Sequence, residues 1–452
     1  MQFCRLLRFK HTNSSRCFFN KTFAEAKTIS TGLFGNSELK TPADFKKLNE
    51  NVRKNCSCIV REIMSGSENK TTVQLLDDLS NEICKAADLT ECIRQLHSDP
   101  KFTAAAEESA RDFCQLVESL NTYTELYEKL NQSKNQEINR LSDVDKRTLD
   151  LFLDDFQQSG VHLPQNKREK FVQLSEEIFD AGARYQWGCD HEVEVTSDKK
   201  KYGLHSTKLF SPVVDTFNNE VRKFVYTSFY QHNKNQENSL RTLVSKRHEL
   251  AQLTGFETFS HRAQHNTLMG SYDNAKKFLW GIIEACRHSA EKEITVLLDV
   301  LGQCEPGHQR VAEWDIGFLS RIYKERAFGR SHHEAVTKYL KLGNVLRSFD
   351  NLIEKLYGIR FEQQNSEKGE LWHSSVLKFA ATDSSTGRLL GQIYMDIERR
   401  STKAVGDCHY TVRCSKEMAN GDWQTPIVVL SLSLTDVRKT YSMSSDMLCT
   451  AC

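Results

Sequence analysis

Apolar residues recur at intervals of three and four through most of this 452-residue chain, and the period changes only near its C-terminus. Leu76, Leu79, Ile83 and Ala86 or Ala87 form one such stripe. Ala106, Ala110, Phe113, Val117, Leu120, Tyr127 and Leu130 extend another over several turns. Leu149, Phe152 and Phe156 make a third, stopped by Ser159-Gly160, and Pro164 opens a fourth with Phe171, Leu174 and Ile178. That spacing puts one apolar face on each helix, so residues 43–187 and 213–360 are predicted as packed helices. The six prolines are far apart, which leaves room for long helices. From Arg388 to Leu434 the pattern shortens. Ile393, Met395 and Ile397 alternate with polar residues, His409–Val412 alternates crudely, and Ile427–Leu434 is a β-branched run passing into a Ser/Leu alternation. These read as strands, with Asn420-Gly421-Asp422 as a turn. Between Cys189 and Pro212 the helical pattern breaks. Glu192–Val195 alternates before a lysine run, the mark of a short hairpin or an exposed connection.

The expected fold is mostly α with a small mixed β-sheet over about 376–434. Its 61 basic and 60 acidic side chains leave a net charge of +1, which argues against binding nucleic acid or membranes through bulk charge. No apolar run approaches the ~20 residues that span a bilayer. The 14 cysteines are scattered. Cys449 and Cys452 form a lone CxxC without a second pair at zinc-ribbon spacing, so the thiols are expected to be reduced. Residues 1–30 carry Arg5, Arg8, Lys10, Arg16 and Lys21 before the first acid, Glu25, with phenylalanines and leucines interleaved. That composition is a mitochondrial transit peptide's.

A zinc peptidase of the HExxH type needs two histidines four residues apart on one helix and a glutamate beside the first as general base. His248-Glu249 has Gln252 where the second histidine belongs; His333-Glu334 has Thr337; His191-Glu192 has Val195. His261 and His265 have the spacing, but Arg262 stands in the base's place, cannot take a proton at neutral pH and would repel a dication. His409, beside Asp407 and Cys408, lies in the strand block. No catalytic, cofactor-binding or metal residue is assigned. GxGxxG, P-loop and GxSxG patterns are absent as well.

Several stretches in order resemble the M3 (thimet oligopeptidase-like) family of zinc metallopeptidases, most of all its mitochondrial precursor-processing members. They are Gly32-Leu33-Phe34-Gly35 with Pro42, Glu220–Tyr226, Arg247–Phe256, Trp314-Asp315, Tyr357-Gly358-Ile359 and the strand block itself. The resemblance implies a helical clamshell, here incomplete, whose sheet offers an edge strand to an extended peptide. It divides the chain into a transit peptide (1–30), an N-terminal helical domain (31–212), the first part of the peptidase domain (213–434) and a divergent tail (435–452). It implies a matrix metalloendopeptidase that uses Zn²⁺ to remove N-terminal octapeptides from imported precursors. In that family HExxH follows the strand block, and here no HExxH occurs. The chain is therefore expected to be truncated and inactive as it stands, with a non-catalytic peptide- or protein-binding role as the alternative. Ile427–Leu434 is expected to be left as an unprotected edge strand, and solubility to depend on a partner.

Overall fold

The computed structural model describes residues 31–188, 192–197, 200–205, 216–231, 233–329, 342–404, 406–418 and 421–434. The chain forms two compact units, one of residues 41–334 and one that joins residues 1–40 to 335–452.

The first unit is helical. Its helices are α1 (Asp44–Ser65), α2 (Thr72–Leu96), α3 (Pro100–Asn121), α4 (Thr124–Gln136), α5 (Asp143–Gln158) and α6 (Gln165–Trp187), then α7 (Asn219–Phe229), α8 (Lys234–Leu253), α9 (Phe259–Gln264), α10 (Tyr272–Cys304) and α11 (Ile316–Phe328). Their starts are locally specified. Thr71 and Gln74 form a capping box at α2, as Ser142 and Asp145 do at α5, and Asp99 caps α3 just before Pro100. The predicted stripes become the interior: Leu76, Leu79 and Ile83 meet Val52, Cys56, Phe113, Leu130, Leu149 and Phe156 in one cluster. Phe171 and Leu174 of α6 pack on Leu250 of α8. The break after Cys189 contains a hairpin, β1 (Glu192–Ser197) against β2 (Lys200–His205), in register Glu192↔His205.

In the second unit, α12 (Leu342–Tyr357) lies beside a five-stranded sheet of β3 (Ile359–Gln364), β4 (Leu377–Asp383), β5 (Leu389–Glu398), β6 (Cys408–Arg413) and, after a two-residue ladder of β7 (Lys416–Glu417) and β8 (Trp423–Gln424), β9 (Ile427–Leu434). The order is β3-β4-β5-β9-β6; the β5–β9 pair is parallel and the others antiparallel. This is the small mixed sheet that the alternation predicts. One expectation is corrected. Ile427–Leu434 is an inner strand, with Ile393 opposite Val428 on one side and His409 opposite Leu430 on the other. Its apolar run fits that place, since a strand flanked on both sides is the more deeply buried one.

The chain's beginning completes this unit. Residues 31–39 form a strap: the Thr31 amide donates to Lys368 O and the Phe34 amide to Glu370 O, both at 2.9 Å. The Phe34 ring lies 5.0 Å from Trp372 and 5.1 Å from Tyr394, centroid to centroid. Gly32 has φ 81°, and a Cβ there would stand 1.9 Å from Asn36 O, so the turn requires glycine.

Candidate functional site

The peptide-facing element implied by the family resemblance is a sheet edge, and β6 is the terminal strand on one side of the sheet. Both ends of β6 are tied down. Asp407 Oδ1 accepts the Ser433 amide at 2.8 Å, and Arg413 Nε donates to Thr425 O at 2.6 Å. His409 is exposed on this strand.

The loop leading into β6 is anchored by a buried ionic cluster. Asp396, at the end of β5 and fully buried, accepts from Trp372 Nε1 at 2.7 Å and is held bidentately by Arg400 at 2.6 and 2.7 Å. Lys403 Nζ lies 3.2 Å from Asp396 Oδ1 and also donates to Asp396 O at 2.5 Å and Leu432 O at 2.6 Å. One ammonium thus staples β5 to β9. Burial opposes the charge on Asp396, but the hydrogen bonds and charges of Arg400 and Lys403 outweigh it and hold the carboxyl below its usual range. Burial also pushes the Lys403 ammonium below its usual range, against the pull of Asp396. A second cluster lies under the strap. Glu370 accepts from Lys378 Nζ at 2.5 Å, Tyr394 Oη at 2.7 Å and the Glu367 amide at 2.7 Å. Burial opposes the Glu370 charge as well, and these donors overcome it. Burial, together with the adjoining carboxylate, drives the Tyr394 hydroxyl far up.

Among the described residues, His248, His261, His265 and His409 assemble no metal centre. His248 is exposed on α8, and neighbouring Glu249 pairs with Lys246 at 3.1 Å and Lys170 at 3.6 Å. His261 sits in α9, where its Nδ1 shares a hydrogen bond with Thr258 Oγ1 at 2.8 Å and its Nε2 is 3.7 Å from Glu257. His265 is the C-cap residue and packs edge-on to Phe256. Arg262 between them is half-buried, donates to Gln158 O at 3.3 Å and lies over the Phe171 ring. These residues do not fit a zinc site: one histidine's nitrogens are engaged with Thr258 and Glu257, and an arginine stands where the general base belongs. Among the described residues no group of three or more His, Cys, Asp or Glu could hold a metal ion. His191, His333 and Glu334 lie outside the described residues, as do Cys449 and Cys452. Among the described residues no two cysteines form a disulfide. Burial pushes Cys56 up to about 11 and Cys114 up to about 12, so neither is a thiolate at neutral pH.

Residues from two of the resembling stretches meet. Arg222 is fully buried, and its guanidinium bonds Asp315 at 2.8 and 2.9 Å, Glu305 at 2.7 Å and Thr216 O at 3.0 Å, with the Phe318 ring 4.2 Å away. The sequence model of peptidase family M3 matches residues 214–443, half of the chain and most of its sheet unit. The chain belongs to peptidase family M3. It is 30% identical over 415 residues to the mitochondrial intermediate peptidases of Homo sapiens and Pongo abelii, a match that covers 89% of this chain and 58% of theirs. The corresponding protein of Malassezia globosa is 29% identical over 426 residues, covering 86% of this chain and 52% of that one. The chain therefore spans a little over half the length of these relatives. Arg222 and Asp315, both buried, join α7 to the segment before α11. The sequence alone marked their stretches as resembling the family without showing that they touch.

Proposed function

We propose that this chain is the substrate-holding part of a mitochondrial metalloendopeptidase of the intermediate-peptidase type, whose substrates are the N-terminal segments of imported precursors. The 30% identity over 415 residues carries the reading, and the anchored terminal strand Cys408–Arg413 supplies its chemistry. An extended peptide would add to that strand through backbone hydrogen bonds, with alternate side chains reading its sequence. The basic, acid-poor residues 1–30 support import into the matrix. Zinc is the cofactor that the family implies. No HExxH occurs in these 452 residues and the His261/His265 pair does not fit the metal, so the chain by itself is assigned peptide binding without hydrolysis.

The test is to titrate the 452-residue chain with a precursor-derived peptide, with zinc present, while following both cleavage and amide exchange. Slowed exchange across 408–413 without cleavage is the expected result. Binding that leaves those amides unchanged would overturn the edge-strand reading, and chelator-sensitive cleavage would overturn the assignment of binding alone. A second reading, a non-catalytic adaptor for another protein, is favoured by one observation: Phe349, Leu352 and Leu356 form an exposed apolar stripe along α12.

A further inference from the structure

Strand register sets three polar side chains in one row across the sheet. Ser431 of β9 stands opposite Asp396 of β5 on one side and opposite Cys408 of β6 on the other. Directly opposed residues project from the same face of a sheet, so the three share a face. The row runs outward from the buried ionic cluster. Asp396 is fully buried, Ser431 is 1% exposed and Cys408 is exposed.

The middle member is unsatisfied. Ser431 Oγ is buried and has no hydrogen-bond partner among the described residues. A buried hydroxyl left unpaired has given up water for nothing in return, which opposes folding. On its inner side the Asp396 carboxylate is already engaged by Trp372, Arg400 and Lys403. On its outer side stands a thiol, a weak acceptor that it does not bond. The hydroxyl is thus a donor waiting for an oxygen at the place of the Cys408 sulfur. A cation lies nearby as well. Burial weakens the hold of the Lys403 ammonium on its proton, and Asp396 and an ionised Cys408 strengthen it.

We propose that Cys408 is a reversible oxidation site, at which a peroxide converts the thiol to a sulfenic acid whose new oxygen is held by the Ser431 hydroxyl. The sulfur attacks one peroxide oxygen. An S–O bond forms as the O–O bond breaks, sulfur gives up two electrons, and the second oxygen leaves as water with the thiol's proton. The added oxygen reaches one bond beyond sulfur and accepts from Ser431. Lys403 keeps its bonds to Asp396 and Leu432 O and acts through charge alone. A low-molecular-weight thiol reverses the change: it condenses with the sulfenic acid, releasing water, and a second such thiol displaces it as a disulfide. The site does not depend on a peptide adding to β6.

The test treats the reduced 452-residue chain with stoichiometric hydrogen peroxide, traps sulfenic acid with dimedone and maps the adducts by mass spectrometry. Cys58, Cys84, Cys286 and Cys414 are exposed as well and serve as internal controls. Cys58 is the most telling of them, a helix-surface thiol with the Arg61 guanidinium 3.1 Å from its sulfur. Cys408 is expected to carry about fivefold more adduct than any of these, the factor that one ordinary hydrogen bond supplies. Ser431→Ala should erase that excess and leave the controls unchanged. It removes a hydroxyl that no partner uses, so the fold is retained, which unchanged amide exchange across 427–434 verifies. Glutathione added before dimedone should abolish the Cys408 adduct. Wild-type Cys408 labelled no more than the controls would overturn the proposal. So would a folded Ser431→Ala chain that keeps the excess, or an adduct that survives glutathione.

Discussion

The cluster shared by α1–α5 is built from apolar stripes that bring Leu79, Phe113 and Leu149 together, with the Arg222–Asp315 pair buried apart from it, whereas the sheet unit sets charged side chains at its centre. Asp396 is as buried as Tyr394, and Lys403 is buried beside it. The contrast extends to proton affinity. Among the described residues of the sheet unit, the carboxyls with shifted affinity, Glu370, Asp383 and Asp396, are all held below their usual range. In the helical unit Asp88, Glu118 and Asp155 are pushed up, chiefly by burial, while Glu82 and Glu177 are lowered. An aliphatic interior tolerates loss of one group by partial collapse. An ionic one does not, because removing either partner leaves a desolvated charge behind.

The sharpest way to break the comparison is Asp396→Ala. It strands Arg400 and Lys403 and should cost the sheet unit about 3–5 kcal/mol. Amide exchange in 389–398 should then approach that of an unfolded chain while 72–96 stays protected. Equal loss of protection in both stretches would show that the two units unfold together. Leu79→Ala should do the reverse, costing the helical unit about 2–4 kcal/mol, read as faster exchange in α2 with the sheet unchanged. Gly32→Ala is expected to cost about 1–3 kcal/mol, since it combines an unfavourable φ with a clash against Asn36 O. Its reporter is the fluorescence of Trp372, which the released Phe34 strap would uncover.

Acid is the mildest lever and acts with opposite sign on the sheet unit's carboxyls and on Glu118 and Asp155. Glu370 and Asp396 bind protons more weakly folded than unfolded. Their stabilisation is present above the ordinary carboxyl values of 4.5 and 3.8 and is lost as pH falls through the lower folded values. Glu118 and Asp155 bind protons more tightly when folded, so acidification stabilises their surroundings as pH falls through those raised values towards 4.5 and 3.8. Below pH 4.5 the sheet unit should therefore lose exchange protection before the helices around Glu118. The opposite order would mean that the ionic cluster does not govern the sheet's stability.

The stripes through Leu76, Leu79 and Ile83 and through Phe171 and Leu174 were legible because a helix's period is written locally, as were its caps at Thr71 and Ser142. The strands of 388–434 were legible as strands, but their order was not. Whether Ile427–Leu434 is an edge depends on where Cys408–Arg413 returns, and no local pattern encodes that return. The spacing of His261 and His265 suited a metal, yet on the folded chain Thr258 and Glu257 lie beside one of those rings and Arg262 is sunk between helices. Asp396 and Arg400 stand four apart, a spacing that on a helix would mean little more than a surface pair. Here they straddle the end of a strand and meet in the core.

By itself the sequence determined the helical class, the small sheet and the resemblance to peptidase family M3, since periodicity and ordered short matches are properties of neighbours along the chain. Only the tertiary structure decided that the N-terminal strap packs on the sheet unit at residues more than 300 positions away. It also decided that Arg222 finds Asp315 and that Lys403 staples two parallel strands. Those contacts join residues whose local sequence is indifferent to one another, and the buried ones strengthen once folding has excluded water from their partners.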